Sequence, residues 1–271
     1  MPELPEVETI VRNLRKPLIG RRIISMWYDW EKTIHSPEPT DFAARITGQT
    51  IQSINRRAKY ILCELNHDVL VIHLKMTGRL YVADAGVVHD ADRWVHFQLD
   101  LDNGKQLRFS DSRKFGKVYL TNNIETITSK LGPEPLDDSF KQDDFLLRIR
   151  RYQRTIKSLL LDQTFIAGIG NIYADEALFR AQIHPQRQSD TLTNDEIQRL
   201  YGAIRNALNA GIDHEGASIN WYRKPDGSKG ASQDYLLVYG KADQPCPRCG
   251  MSIKKIRVAQ RGTHFCPNCQ K

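Results

Sequence analysis

No stretch of this chain approaches the roughly 20 consecutive apolar residues that a membrane-spanning helix needs, so a helical membrane span is excluded. The opening residues have neither the basic region nor the apolar run of a secretion signal, and the expected location is the cytoplasm. Internal repeats and low-complexity blocks are missing as well, which argues against solenoid and fibrous architectures. Cysteine is nearly absent before residue 246: Cys63 stands alone there, on an apolar strand, and reads as a small buried hydrophobe. Net acidity is also lacking. The formal charge is +7 and the isoelectric point is about 9.1, a balance that points to a polyanionic partner. Charge alone leaves a nonspecific basic surface as an equal alternative. The basic clusters are more telling. Arg56-Arg57-Lys59, Arg148-Arg150-Arg151-Arg154-Lys157 and Lys254-Lys255-Arg257-Arg261 are well separated, as a split footprint on one duplex would require.

What is present sorts into segments of different period. Val7, Ile10, Val11, Leu14 and Leu18 recur at helical spacing, Pro5 suits a first-turn position, and Gly20 ends the run. From about 22 to 120 the period becomes two. Leu70, Ile72, Leu74 and Met76 share one face, as do Val95, Phe97 and Leu99, and turns such as Asp102-Asn103-Gly104 intervene. This predicts an antiparallel β-sandwich or flattened barrel with one helix at its N-terminal edge, in an α+β multi-domain chain. Prolines at 133 and 135 mark a linker over 131–138 after an N-terminal domain of residues 1–130. A helical domain follows over 139–235. It contains the stripe Phe145, Ile149, Tyr152, Ile156, Leu159 and Leu160, and a capping-box start at Thr193-Asn194-Asp195-Glu196. Residues 218–234 have no period and read as a mobile loop, and YLLVYG has the pattern of a short strand.

The tail, 236–271, holds Cys246, Cys249, Cys266 and Cys269 as two Cys-x-x-Cys pairs. Each such turn aims two sulfurs at one point, which is the spacing of a closed four-thiolate site for one structural zinc ion. Disulfides are the alternative, disfavoured in the cytoplasm. The residues between the pairs alternate like a β-hairpin too small to fold unaided, which zinc would staple. Gly262 after Arg261 permits a turn that could present that guanidinium. In DQTFIAGIGNIYADEALF, glycines 168 and 170 suit tight turns ahead of a helix whose N-terminus, at Asn171, can hold a phosphate, with Lys157 on the preceding helix. Many helix corners use glycine without binding anything. Pro2, between Met1 and a group of carboxylates, reads by default as a stiffened chain end, with a free secondary amine, exposed once Met1 is trimmed, as the alternative.

The motifs MPELPEVET, RRAKY, HLKMTGRL, DSRKFG, LGPEPL, AGIGNIYADE, VYGK and the tail ending RGTHFCPNCQ resemble, in order and over essentially the whole chain, bacterial formamidopyrimidine-DNA glycosylases. The resemblance implies a bifunctional enzyme that removes oxidised purines (8-oxoguanine, formamidopyrimidines) opposite cytosine and then nicks the abasic site. It implies a β-sandwich domain, a helix-two-turns-helix domain with a lesion loop at 218–234, and a zinc β-hairpin. Duplex DNA would run across the cleft between domains of a monomer, at the nucleoid of a bacterium.

By that resemblance Pro2 is the nucleophile. A secondary amine attacking the sugar C1′ gives an iminium that is permanently cationic and acidifies the C2′ proton. An α-amino group titrates near ~8 against ~10.4 for lysine, so it needs less activation. Glu3 is implied as the general acid–base, whereas Glu6 and Glu8 suit the helix dipole and Glu6 is expected to hold the helix in place. Lys59 is implied to favour the neutral amine through its charge and to contact a flanking phosphate. Arg261 is implied to assist the second elimination. An extruded nucleotide leaves a void, which the resemblance assigns to Met76, Arg113 and Phe115, with Arg113 facing the orphaned cytosine. By residue pattern alone Met76 continues the Leu70–Ile72–Leu74 core face. The chain departs from the family at Asp92-Arg93-Trp94, where many members carry His-Asp-His. The phosphate contact expected there passes to Arg93, with His73 as a second candidate. The endonuclease VIII branch fits less well, given Leu4, Arg113 and Phe115. A non-catalytic zinc and DNA-binding protein would have no need of Pro2, Glu3 and Lys59.

Overall fold

In a computed structural model residues 1–219 and 221–271 are described, so Asn220, inside the loop expected over 218–234, lies outside the described residues. The chain forms two compact units, 1–129 with 214–231 and 130–213 with 232–271. No helix among the described residues is long and apolar enough to cross a membrane.

The first unit begins with α1 (Leu4–Leu18), whose face of Leu4, Val7, Ile10, Val11, Leu14 and Leu18 is buried completely or nearly so. Helical spacing of apolar residues makes that stripe, and its burial rather than propensity holds the helix. Two sheets follow. One carries β1 (Ile23–Tyr28), β6 (Gly78–Asp84), β7 (Val95–Leu101) and β8 (Lys105–Asp111) in the order β1-β7-β8-β6. The other carries β2 (Ile34–Ser36), β3 (Ser53–Arg57), β4 (Tyr60–Glu64), β5 (Val69–His73) and β9 (Lys117–Thr121) in the order β2-β9-β5-β4-β3. All pairings are antiparallel except β2 with β9. Their inner faces share one core, in which Phe97, Leu99, Leu107 and Phe109 meet Ile61, Cys63, Leu70, Ile72 and Val118.

The period-two reading needs three corrections. A helix, α2 (Pro39–Ile46), interrupts the strands and buries Phe42 and Ile46. A register shift between Val95 and Phe97 removes Val95 from the main core and packs it with Tyr81, Ala83 and Ala91 on the opposite face. The face through Leu70, Ile72 and Leu74 stops there: β5 ends at His73, Lys75 has φ 51°, and Met76 stands 41% exposed. A short α3 (Glu125–Thr128) closes this stretch. Residues 214–231, expected in the helical domain, belong instead to the first unit. The Glu6 carboxylate accepts the Ala217 amide at 2.8 Å, and Tyr222 is buried in the sandwich core.

The second unit contains α4 (Gln142–Ile149), α5 (Ile156–Leu160), α6 (Asn171–Ala181), α7 (Asn194–Asp213) and the hairpin β10 (Lys254–Val258) and β11 (Arg261–Phe265). The expected stripe from Phe145 to Leu160 is real in burial but split between two helices. A reciprocal capping box starts α7: the Thr193 amide donates to Glu196 and the Glu196 amide donates to the Thr193 hydroxyl. YLLVYG forms no strand. The Glu176 carboxylate takes the amides of Leu237, Val238 and Tyr239 at 2.9–3.0 Å, leaving none of the three for a ladder.

Phe109 lies between two glycines. A Cβ added at Gly116 would stand 2.2 Å from its ring, and one at Gly78 would stand 2.8 Å from the ring and 2.4 Å from the Leu74 carbonyl. Overfilling a packed core costs about 1–3 kcal/mol. Gly116→Ala is therefore expected to destabilise the first unit by about that amount, read as a lower urea midpoint, with Gly104→Ala, where no neighbour stands within 4 Å, avoiding the steric part.

Candidate functional site

The first unit brings several of the sequence-identified residues to one end. Glu3 is the N-cap of α1, and its amide donates to the Glu6 carboxylate at 2.8 Å. Pro2, Glu3 and Lys59 are all buried, while Met1 is half-exposed. Lys59 occupies the tight turn between β3 and β4, next to Ala58 at φ 53°. The docking of α1 sets its direction along β3: Glu8 accepts from Arg56 at 3.0 Å, and Arg15, in the last helical turn, donates to the Ile54 carbonyl at 3.0 Å. The helix start thus lies toward the Ala58–Lys59 turn. Glu8 is ion-paired to both Arg12 and Arg56, which hold its carboxyl below the usual range against the opposing effect of its burial.

His73, at the end of β5, is buried against Tyr60. Burial, and then the charges of Lys75 and Lys59, push its imidazole down to about 3. Its Nδ1 accepts the Lys75 amide at 2.9 Å, so the single ring proton sits on Nε2. His73 is a neutral hydrogen-bond donor rather than a cation.

Met76, Arg113 and Phe115, far apart in sequence, meet on the surface. Arg113 Nη1 lies 3.3 Å from the Met76 sulfur, and its guanidinium is 4.7 Å from the Phe115 ring centroid. Phe115 is 47% exposed. Asp111, which motif reading passed over, makes this geometry. Its buried carboxylate takes the Thr77 hydroxyl, the Arg113 amide at 3.2 Å and the Gly116 amide at 2.6 Å, tying both turns to the end of β8. Arg93 is exposed and stacks on Trp94 at 3.6 Å, and Trp94 meets Trp221 edge to face at 6.2 Å.

In the second unit Lys157 is not at the surface. It is 0% exposed, and its ammonium is bound by Asp175 at 2.6 Å, Thr263 at 2.7 Å and the Gly262 carbonyl at 3.3 Å. Its amine is spent on the protein, so any part in binding phosphate is indirect. Asn171, at the start of α6, donates to the same Gly262 carbonyl at 2.9 Å. The other Asp175 oxygen takes the His264 amide at 2.9 Å. Two helices therefore grip β11 next to Arg261. The hairpin turn is Ala259-Gln260, both at positive φ, two residues earlier than the Arg261-Gly262 turn expected. Gly262 lies within β11, where an added Cβ would stand 3.2 Å from Lys255. Arg261 is exposed as the first residue after the turn.

The sulfurs of Cys246, Cys249, Cys266 and Cys269 all lie within 4.8 Å of one another, with Cys249–Cys266 at 3.5 Å and Cys246–Cys269 at 3.9 Å. A tetrahedron with Zn–S of about 2.3 Å places sulfurs roughly 3.8 Å apart, so the four thiols fit such an ion. Cys63, by contrast, is fully buried and its thiol is pushed up to about 12 by that burial, as an inert core residue.

A β-sandwich unit with a buried N-terminal proline, joined to a helical unit carrying a four-cysteine hairpin, defines a zinc-finger class of multi-domain protein. Comparison gives the family. The formamidopyrimidine-DNA glycosylase N-terminal domain matches residues 1–118, the formamidopyrimidine-DNA glycosylase H2TH domain matches 131–223, and a zinc finger found in FPG and IleRS matches 243–271. The chain is 46% identical over its whole length to the full-length formamidopyrimidine-DNA glycosylase of Herpetosiphon aurantiacus, and 45% identical to that of Protochlamydia amoebophila, again over all of both chains. Its structure superposes on a Lactococcus lactis FPG mutant in complex with Fapy-dG DNA with TM-score 0.93, at 38% identity and covering all of both chains. The same enzyme bound to DNA with an abasic site gives 0.91, at 37% identity and 99% of each chain. The chain belongs to the formamidopyrimidine-DNA glycosylase family.

Two outcomes follow from the burial of His73 and Lys157. Unfolded histidine titrates near ~6.5, whereas folded His73 does so at about 3. Between those values only the unfolded chain takes up the proton, so stability falls as pH drops from ~6.5 toward 3. His73→Gln should flatten that part of the profile, measured as the difference in urea midpoint between pH 7 and pH 5. Lys157→Met strands the Asp175 carboxylate and should cost about 3–5 kcal/mol in unfolding free energy, far more than Lys255→Met on the exposed side of the hairpin.

Proposed function

We propose that this protein is a bifunctional DNA glycosylase and abasic-site lyase acting on oxidised purines, 8-oxoguanine and formamidopyrimidines, opposite cytosine in duplex DNA. The observation that carries the reading is the exposed trio Met76, Arg113 and Phe115 on two turns pinned by one buried carboxylate. Keeping a methionine and a phenylalanine at the surface beside a guanidinium does nothing for stability, but fills the space an everted nucleotide leaves. Family membership supports the same reading, since relatives bear the name formamidopyrimidine-DNA glycosylase and related structures hold Fapy-dG or abasic DNA.

In this reading Met1 is removed and the Pro2 nitrogen attacks C1′ of the damaged nucleoside. The bond from C1′ to the base breaks, its electron pair leaves with the base, which takes up the proton shed by the Pro2 nitrogen, and Glu3 supplies a proton to the sugar ring oxygen as the ring opens and the iminium forms. The resulting iminium draws electrons from C2′. Loss of the C2′ proton expels the 3′ phosphate, and a second elimination, assisted by Arg261, expels the 5′ phosphate. Hydrolysis of the iminium frees Pro2. Lys59 contacts a flanking phosphate and disfavours a second positive charge on Pro2. His73, through its Nε2 proton, and Arg93 hold further phosphates, and Asn171 presents the α6 N-terminus to another. The four tail cysteines hold one zinc ion, which closes the hairpin and takes no part in the reaction. The protein acts as a cytoplasmic monomer at the bacterial nucleoid.

The test is to incubate the Met1-processed protein with an 8-oxoguanine:C duplex and borohydride. A reduced covalent adduct mapping to the Pro2 peptide is expected. Full DNA binding with no adduct would overturn the enzymatic reading, and faster turnover on thymine glycol than on 8-oxoguanine would favour the endonuclease VIII type of specificity.

A further inference from the structure

Two arginines on neighbouring strands point away from the sandwich core, and the protein treats them differently. Arg108 on β8 is a structural arginine: its donors go to Gln106, to the Val87 carbonyl at 2.8 Å and to Asp92 at 2.9 Å. Arg79 on β6 makes no side-chain hydrogen bond and no ion pair with a described residue, and its Nε is both inaccessible and without a partner. A guanidinium in that state carries a desolvation cost, which the Tyr81 ring 6.0 Å away and the attraction of Asp90 offset only in part, since Arg79 is still held below the usual arginine range.

Arg79 borders a cavity of about 380 Å³ that is also lined by Tyr81, His89, Asp90, Arg223 and Asp226. Burial first, and also the like charge of Arg223, hold Arg79 below the usual arginine range. The acids there do little to relieve this. Asp226 is engaged in its own turn, accepting the Ser228 amide at 2.9 Å and its hydroxyl at 2.7 Å, and Asp90 is exposed. The Tyr81 hydroxyl donates to Asp92 at 2.5 Å, and burial pushes its ionisation upward, so it adds no charge. Arg223 gives one Nη to the Tyr222 carbonyl at 2.7 Å, whereas the buried Nε of Arg79 has no partner. Two guanidiniums lining one cavity match a tetrahedral oxyanion, which accepts several N–H donors at once.

We propose that Arg79 and Arg223 form an oxyanion site on the outer face of the four-stranded sheet, taking a phosphate group. The group is either a phosphodiester of bound nucleic acid, an arm that rests on the function proposed above, or a free phosphate, which does not depend on it. Neither arginine has a role in the chemistry described above.

The full chain with zinc bound is compared with Arg79→Met and Arg79→Lys. Thermal midpoints are recorded against inorganic phosphate at constant ionic strength, with chloride as the control. Kd for an undamaged duplex is recorded against salt. A free-phosphate site predicts that millimolar phosphate raises the wild-type midpoint more than chloride does, that Arg79→Met abolishes the rise, and that Arg79→Lys keeps part of it. A phosphodiester site predicts a slope of log Kd against log salt smaller by about 0.9 in Arg79→Met. If Arg79→Met matches the wild type in both measurements, the proposal is overturned. A wild type that binds no DNA sinks the proposed function, and the phosphate titration then decides this site alone. Should Arg79→Met fail to fold, Arg79→Lys and Arg223→Met carry the same comparison.

Discussion

The surface at the heart of this molecule depends on one buried carboxylate. Asp111 ends β8 beside the Phe109 ring and collects a hydroxyl from Thr77 and two amides from the turn after it. A carboxylate taken out of water is costly unless its lone pairs are filled, and three donors fill them here. The constraint acts in both directions. The turns must close on Asp111 to satisfy it, and only glycine at 78 and 116 lets them approach the Phe109 ring while doing so. Met76, Arg113 and Phe115 are held at the surface by this closure rather than by packing of their own.

The same logic organises the second unit around Asp175 and Glu176, adjacent residues on α6 that are both buried. Asp175 binds Lys157 and the His264 amide, so α5, α6 and β11 are joined through charge-assisted hydrogen bonds. Glu176 gathers three successive amides and forces the chain before the hairpin out of strand geometry. A small hairpin has too little core to hold its own position. These carboxylates, with the four-cysteine cluster, supply what apolar burial cannot, and they set where Arg261 emerges.

Much of this was legible in advance because it is local. The α1 stripe, the core face of Leu70, Ile72 and Leu74, the Thr193–Glu196 box and the paired Cys-x-x-Cys turns each follow from residues within one or two turns of one another. The misreadings share a cause. Lys157 looked like a surface cation, YLLVYG looked like a strand, and by apolar spacing alone, before the family resemblance, Met76 looked like core. In each case a partner distant in sequence decided otherwise: Asp175 and the Gly262 carbonyl for the first, Glu176 for the second, and the Thr77–Asp111 anchor for the third. Residues 214–231 left the helical unit for a similar reason, since the Glu6 carboxylate and the sandwich core supply partners for Ala217 and Tyr222.

By itself, then, the sequence determined the periods, the caps, the cysteine spacing and the motif order that place this chain in its family. These rest on short-range sterics and apolar spacing, which are written residue by residue. Only the tertiary structure decided which polar groups are spent inside the protein and which remain for a ligand. A buried charge is worth whatever its partner makes it, and no periodicity names a partner on another element. That is why Lys157 and Arg108 turn out to be internal ties, whereas the buried Nε of Arg79 finds no partner in its own chain.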